Sequence, residues 1–561
     1  MSELAQTLQN LYGAYQAGEV IQAEIGIRSL LQLYPEQPDV LRLGALTALA
    51  VNQVVTADQR LSKAASLTPL TAEMANTRGN ILKKAADWPA SREAYQAAIK
   101  LDSNYQPAYD NLLDMYVQSE QPGQALTLLE SGRDFGEMGE YARSQALTNL
   151  GKYEDALETL NAVNATRYAD RMTLQRVVIL SAMSRLDEMK ETIGKLPIGS
   201  ELFPKALGIG VNALEMRGLR SEALNMIAEY TVPSDTTPLT YIKGVQLLRR
   251  AEQNAASRAL MDVAADKFDS NPEILGEMAN FALSNGNAPG SCEIYQRALS
   301  VKPGDLSLMT GYAQAAIVAG NYTTAQKLIQ SALGQAPNNQ FLFALAATLQ
   351  RASGADHTAL YDYDRFVRPY DLDPPKGYAD IGSFNAALKD ALGRLHIYTG
   401  TPVNQSLRKG TQTDINLALV EDPVIQSFFD MVDGPLRDYM YRLPQDVQHP
   451  LCRRKRESYR IAGAWSVRLS ESGHHVNHVH PMGWISSSYY VDIPPSVNET
   501  SKEGWIKFGE SSLPLPSVGP EKFIQPKPGR LVLFPSYMWH GTVPFQGQET
   551  RLTLPFDVVP D

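Results

Sequence analysis

The sequence predicts a chain of two parts, an all-α repeat solenoid followed by a β-sheet sandwich or barrel with supporting helices. Three observations predict it. Small residues Ala23, Ala57, Ser91 and Ala125 fall 34 positions apart, the period of a helix pair that cannot bury its apolar face alone and must stack on copies of itself. The 3.6-residue apolar pattern stops near residue 352, where short β-branched and aromatic runs punctuated by Pro and Gly take over. All eight histidines, from His357 to His540, lie beyond that point.

Within the first part, Gly18 and Pro35 flank Ala23, Gly151 precedes Ala156, Gly218 precedes Ala223, and Gly320-Asn321-Tyr322 precedes Ala325. Glycine suits the turn between two antiparallel helices, where positive φ is needed, the small residue lets the helices approach, and proline ends the second helix. Weaker copies centre on Ala256 and Ser291, with a degenerate one near Ser184 to Pro197, giving about ten helix pairs between residues 3 and 352. A right-handed solenoid with a concave groove is expected. The segment resembles the tetratricopeptide repeat family over its whole length, which implies a scaffold with a protein or peptide partner in its groove. The other reading is an assembly or rigidity element without a ligand groove.

At 561 residues and 61.7 kDa the chain exceeds one ordinary domain, and 44% hydrophobic with 20% charged residues is globular composition. No run approaches the ~18 apolar residues that span a bilayer. The start, Met1-Ser2-Glu3-Leu4, lacks a basic segment followed by an apolar one. Two distant cysteines, Cys292 and Cys452, are no disulfide framework. These features lead us to expect a cytoplasmic protein with no membrane partner. The net charge of −10 shows no strong asymmetry along the chain, which argues against a nucleic-acid footprint. The run Arg453-Arg454-Lys455-Arg456 reads as solvated loop charge. Nothing in the sequence gives the oligomeric state.

In the second part, Ala464 to Leu469, Ser487 to Val491, Arg530 to Phe534 and Arg551 to Phe556 read as strands, residues 375–397 and 413–442 as buttressing helices, and Tyr361 to Pro375 as the join. Five histidines concentrate in His474-His475-Val476-Asn477-His478-Val479-His480 and His540, and clustered imidazoles suggest a metal. On a strand His478 and His480 share a face. His540 follows Leu533-Phe534-Pro535-Ser536, a buried strand and turn able to return a third ligand. Arg551, eleven residues on, could offer a guanidinium to a carboxylate. His474 and His475 read as loop or supporting residues, although His474 shares strand parity with His478. His357, His396 and His449 read as structural, Trp465, Trp484, Trp505 and Trp539 as core, Asp492 as a strand end and Gly410 to Thr413 as a turn.

The arrangement resembles the iron(II)- and 2-oxoglutarate-dependent oxygenases, and most closely their His-x-His-Pro type. The pattern reads His478-Val479-His480-Pro481, then Ser486-Ser487-Ser488-Tyr489-Tyr490-Val491, then Leu533-Phe534-Pro535-Ser536 with His540 and Arg551. The resemblance covers residues 357–561 and implies a double-stranded β-helix (jelly roll), after a repeat domain over residues 1–352. It implies Fe(II) held by His478, His480 and His540, and 2-oxoglutarate bound by Arg551 with help from Tyr490, Ser488 and Ser486. His480 stands where most of the superfamily has a carboxylate. The expected activity is a dioxygenase that hydroxylates a side chain of a protein or peptide recruited by the repeats, by analogy with aspartyl/asparaginyl β-hydroxylases and prolyl 3-hydroxylases. The alternatives are a small-molecule hydroxylase whose repeats serve assembly, or a non-catalytic adaptor whose relic barrel binds zinc or nothing.

Overall fold

The computed structural model describes residues 3–232, 236–403 and 405–561. It comprises two compact units, one of residues 1–128, 330–339 and 561, the other of residues 129–329 and 340–560. Among the described residues, twenty-one α-helices run from Glu3 to Ser353, which is ten pairs and one more.

In the first unit the helices are 13 or 14 residues long from Glu3–Gln16 to Gln106–Gln118. Thr71 and Asp87 cap helix starts by accepting from the amides of Met74 and Ala90, and Pro occupies the first turn after Gln37, Asp87 and Tyr105. Ala23, Ala57, Ser91 and Ala125 are fully buried. The Ser91 hydroxyl donates to the carbonyl of Gly79 on the paired helix at 2.9 Å, a contact only a close helix approach permits. The turn residue has positive φ at Gly18, Asn52, Ala86 and Glu120, again 34 apart, so the conformation persists where glycine is lost. Residues 330–339 join this unit through Asn338, which donates to the Ala85 carbonyl at 2.9 Å.

The second unit repeats the device at Gly151, Ser184, Gly218, Glu252, Gly286, Gly320 and Gly354. Its small residues include Ser257 and Ser291, whose hydroxyls donate to the carbonyls of Val245 and Ala279 at 3.0 and 2.7 Å. The copy expected around Ala256 is therefore centred one residue later: Ser257 is buried and Ala256 exposed. Helix Gln340–Ser353 packs into the β part, with Trp539 Nε1 donating to Thr348 Oγ1 at 2.9 Å and Arg351 paired with Glu521 at 3.1 Å.

Among the described residues the β part has eleven strands: β1 Arg368–Asp371, β2 Leu407–Gln412, β3 Tyr459–Ala464, β4 Val467–His475, β5 Ile485–Asp492, β6 Ile506–Phe508, β7 Lys522–Ile524, β8 Arg530–Pro535, β9 His540–Thr542, β10 Arg551–Leu554 and β11 Phe556–Pro560. The larger antiparallel sheet runs β1-β8-β5-β10-β4-β2, with β11 pairing both β5 and β3; the smaller is β7-β6-β9. Phe508 of the smaller sheet meets Phe534 of the larger edge to face at 5.0 Å, so the two sheets close on a shared interior. The expected join is partly an edge strand, since β1 pairs with β8. Helices Ile381–Leu395 and Pro423–Arg442 buttress the larger sheet: Tyr489 donates to Asn385 at 2.6 Å and packs against Phe428 at 4.9 Å.

The basic run is not loose loop charge. Arg454 donates to the Gly483 carbonyl at 2.8 Å, and Lys455 Nζ reaches the carbonyls of Tyr441 and Leu443 at the end of helix Pro423–Arg442, where the helix dipole favours a cation. Both cysteines are free and buried. Among the described residues, no helix is long and apolar enough to cross a membrane.

Candidate metal centre

His478 lies just beyond β4, in an isolated bridge with His540 at the start of β9. Each donates its amide to the other's carbonyl, at 2.9 and 3.1 Å, so the two side chains leave the paired backbones on the same side. His480 follows two residues later, its amide donating to the Ser536 carbonyl at 3.0 Å. The segment is no regular strand: Pro481 has no amide to continue the ladder, and the chain turns as the Gly483 amide donates to the His480 carbonyl. The i, i+2 relation nevertheless holds, with the His478 and His480 ring centroids 5.2 Å apart and His540 at 4.2 and 5.1 Å from them.

Each ring is held by its Nδ1. His478 Nδ1 lies 2.8 Å from the Val476 carbonyl, His540 Nδ1 3.0 Å from the Met538 carbonyl, and His480 Nδ1 2.7 Å from both carboxylate oxygens of Asp557. Carbonyl and carboxylate oxygens only accept, so Nδ1 donates in all three and Nε2 is the nitrogen left to face a metal. Burial pushes His478 down to about 3 and His540 well below the usual histidine value, so these imidazoles are neutral, the form that binds a metal. The three rings each offer a nitrogen within 4.8 Å of the others. Three imidazole nitrogens on one side of an open cavity fit a divalent transition metal with exchangeable positions left over.

Asp557 was not legible as a site residue. It lies on β11, where it pairs with Ser486 of β5, and it accepts the Ser486 hydroxyl at 2.6 Å besides holding His480. Ser486 also meets Ser536 at 2.9 Å, so it supports the carboxylate and does not face the cavity. A negative charge thus stands one hydrogen bond behind the His480 ring of the candidate ligand set. Asp492, the carboxylate nearest in sequence, pairs with Lys389.

The histidines line a cavity of about 560 Å³ together with Arg551, Ser488, Trp465, Phe534, Gln412, Ser406 and Arg250. Arg551 opens β10 and is 2% exposed. Its guanidinium carbon lies 5.2 Å over the Tyr490 ring, its Nε has no hydrogen-bond partner, and among the described residues no carboxylate pairs with it. The Tyr490 hydroxyl is likewise buried without a partner. Burial pushes the guanidinium down and the phenol up. A buried, unpaired cation costs several kcal/mol, and two orphaned polar groups side by side are a ready cradle for a carboxylate.

Of the two histidines read as loop or supporting residues, one supports the cluster. His475, not His474, reaches the cluster, stacked 5.8 Å from His478 with Nδ1 2.9 Å from Ser406 Oγ, which is itself 3.2 Å from His478 Nε2. β4 ends at His475 and the chain bends at Asn477 before the bridge at His478, so the strand alternation on which the parity of His474 rested does not run through to His478. Trp465 is a cavity wall 5.8 Å from the His480 ring, whereas Trp484 and Trp539 are core, as expected. His396 bonds Thr411 and Ser466, His449 stacks on Phe366, and His357 pairs with Glu521, all away from the cavity.

No curated protein matches the chain. Among solved structures, a crystal structure of the APC/C hetero-tetramer Cut9-Hcn1 overlaps at 12% identity, covering 61% of this chain and 83% of that one with a TM-score of 0.26. A Pseudomonas aeruginosa pilF structure overlaps at 16% identity, covering 42% and 94%, also with a TM-score of 0.26. At such scores the overlaps carry no argument, and the repeat character rests on the helix pairs themselves. Residues 463–557 match the family described as "Putative 2OG-Fe(II) oxygenase", a segment that includes His478, His480, His540, Arg551 and Asp557. The C-terminal part of this chain therefore carries a domain of that family, preceded by helix-pair repeats.

Proposed function

We propose that the protein is an iron(II)- and 2-oxoglutarate-dependent dioxygenase that hydroxylates a side chain of a protein or peptide recruited by its repeats. One observation carries the reading: three imidazoles and a buried guanidinium without a counter-ion share one cavity. His478, His480 and His540 would hold the metal, and Arg551 would take the far carboxylate of 2-oxoglutarate, with the Tyr490 hydroxyl beside it and Ser488 on the wall. Bound there, metal and cosubstrate would supply oxidation by O2 coupled to decarboxylation of 2-oxoglutarate to succinate and CO2.

The chain's own groups orient and insulate. Asp557 keeps the proton on His480 Nδ1 and so keeps Nε2 free, while the carbonyls of Val476 and Met538 do the same for the other two rings. Ile506, Phe534 and Trp465 give the cavity apolar walls that limit water.

The test is anaerobic addition of iron(II) and 2-oxoglutarate to the full-length protein, watching for the weak visible charge-transfer band of the chelated pair. Wild type should show the band, and Arg551→Ala should weaken cosubstrate binding about a hundredfold, the scale of losing a buried charge-assisted pair. His478→Ala and His540→Ala should abolish both the band and succinate formation. A wild-type protein that retains zinc and gives no band would sink the assignment.

A further inference from the structure

Arg250 is the last residue of the repeat helix Pro238–Arg250, yet it lines the same cavity as the three histidines and Arg551. Among the described residues the cavity wall holds two guanidiniums, Arg250 and Arg551, against one carboxylate, Asp557, which is already committed to His480 and Ser486. Among the described residues no carboxylate stands within ion-pair distance of Arg250. The nearby acid, Glu277, is taken by Arg249 at 3.1 Å.

Other cations gather there. Arg408 lies in β2, close to the cavity residues Gln405 and Ser406, and spends Nη1 on the carbonyls of Gln405 and Leu407 at 3.0 and 2.9 Å. Lys243 is seven residues before Arg250, two turns along the same helix face, and no carboxylate among the described residues pairs with it. Arg250 is exposed at the end of its helix, yet partial desolvation and the charges of Arg249 and Arg408 pull it below the usual arginine value, and burial and Arg250 pull Lys243 below that of lysine. The dipole at the helix C-terminus favours one cation but does not call for three. Like charges gathered without counter-ions repel one another, and an arriving anion relieves that repulsion.

If Arg551 serves the cosubstrate, as the proposed function holds, Arg250 remains for the substrate. We propose that Arg250, supported by Arg408 and Lys243, binds an acidic side chain of a polypeptide substrate and holds it at the mouth of the cavity beside the three histidines. Contribution of the arginine by a repeat helix ties recognition to the part of the chain that would engage the polypeptide.

The experiment uses full-length protein and a fluorescein-labelled hexa-aspartate peptide read by anisotropy, with a hexa-serine peptide and inorganic phosphate as comparisons. The expected result is binding of hexa-aspartate but not hexa-serine, weakened about tenfold or more by Arg250→Glu. Arg250→Lys should largely preserve it, and Lys376→Glu, at an exposed lysine outside the cavity, should leave it unchanged. Binding indifferent to Arg250→Glu, or weakened equally by Lys376→Glu, overturns the proposal. Arg250-dependent binding of phosphate without binding of the peptide also overturns it, in favour of a phosphorylated ligand. The charge-transfer band, recorded on the same samples, separates the two readings. A band with no Arg250-dependent peptide binding removes only the substrate proposal, while peptide binding with no band removes the oxygenase reading and leaves the anion site standing.

Discussion

In the repeats, Ser91 reaches the carbonyl of Gly79 and Ser257 that of Val245, each hydrogen bond spanning 12 residues. In the β part, His480 is held by an aspartate 77 residues away and Trp539 by a threonine 191 residues away. The repeat interactions are local and recur: Tyr95 donates to Asn80 at 2.7 Å, and Tyr295 donates to Asn280 at 2.6 Å. Breaking such a hydrogen bond in one copy leaves its equivalents intact in the others, so the repeats tolerate drift. The interactions of the candidate metal centre occur once, each depends on the whole sheet being closed, and no second copy replaces them.

The sharpest way to break that comparison is Asp557→Asn. Asparagine can still accept from His480 Nδ1 through its carbonyl oxygen but brings no charge, so the ring stays oriented while its Nε2 becomes a poorer donor. Metal affinity, measured by anaerobic titration with iron(II) or manganese(II), should fall about 10- to 100-fold with the fold intact. Unchanged affinity would mean that the site shares the redundancy of the repeats.

A second interaction without a copy sits outside the cavity. His396 follows helix Ile381–Leu395 and bonds Ser466 at 2.9 Å and Thr411 at 3.2 Å. Burial, with the nearby charge of Arg468, pushes it down to about 4. The unfolded chain, with an ordinary histidine value near 6.5, therefore binds the proton before the folded one does. Its neutral form supports the fold above about pH 6.5, and that support is lost progressively as pH falls from 6.5 toward 4. At pH 5 the loss should be about 2 kcal/mol relative to pH 7.5. Urea unfolding of wild type and His396→Gln at the two pH values checks this. The acid loss should shrink in the variant, and equal losses in both would remove His396 as its cause.

The same contrast decides what could be read in the sequence. A 34-residue period and a His-x-His pair are statements about neighbours along the chain, and His478, His480, His540 and Arg551 do converge on one cavity. Asp557, Ser406, Trp465 and Arg250 join them through strand pairing and packing, which no spacing encodes. Asp557 looks like any strand residue until β11 is laid beside β5. His475 and not His474 meets His478 because β4 ends at His475 and the chain bends at Asn477, so strand alternation does not carry across to the bridge. In the repeats, the small residues Ala255, Ala256 and Ser257 stand side by side, and of the three Ser257 lies 34 residues from both Ala223 and Ser291, so a strict count of the period selects the residue that is buried. The buried hydroxyl of Ser257 finds its backbone carbonyl only in the folded pair.

The smallest effect tests the repeats on their own terms. Each helix pair turns on one left-handed residue, followed by an amide that reaches back to the helix just ended: Asp87 to the Leu82 carbonyl at 2.9 Å, Asn321 to the Ala316 carbonyl at 2.8 Å. The turn residue is Ala86 at φ 57° in one copy and Gly320 at φ 76° in the other. A Cβ at Gly320 would meet nothing within 4 Å, so any effect of substitution there comes from the backbone and not from crowding. A left-handed conformation costs a residue with a Cβ roughly 1–2 kcal/mol, while glycine gives back part of that gain through the entropy of the unfolded chain. Ala86→Gly should therefore raise stability by about 0.5–1 kcal/mol and Gly320→Ala lower it by a similar amount, both read as shifts in urea midpoint with unchanged slope. A loss of stability in Ala86→Gly would mean that the methyl group contributes packing that outweighs the backbone strain. The turn geometry would then persist for a different reason in each copy.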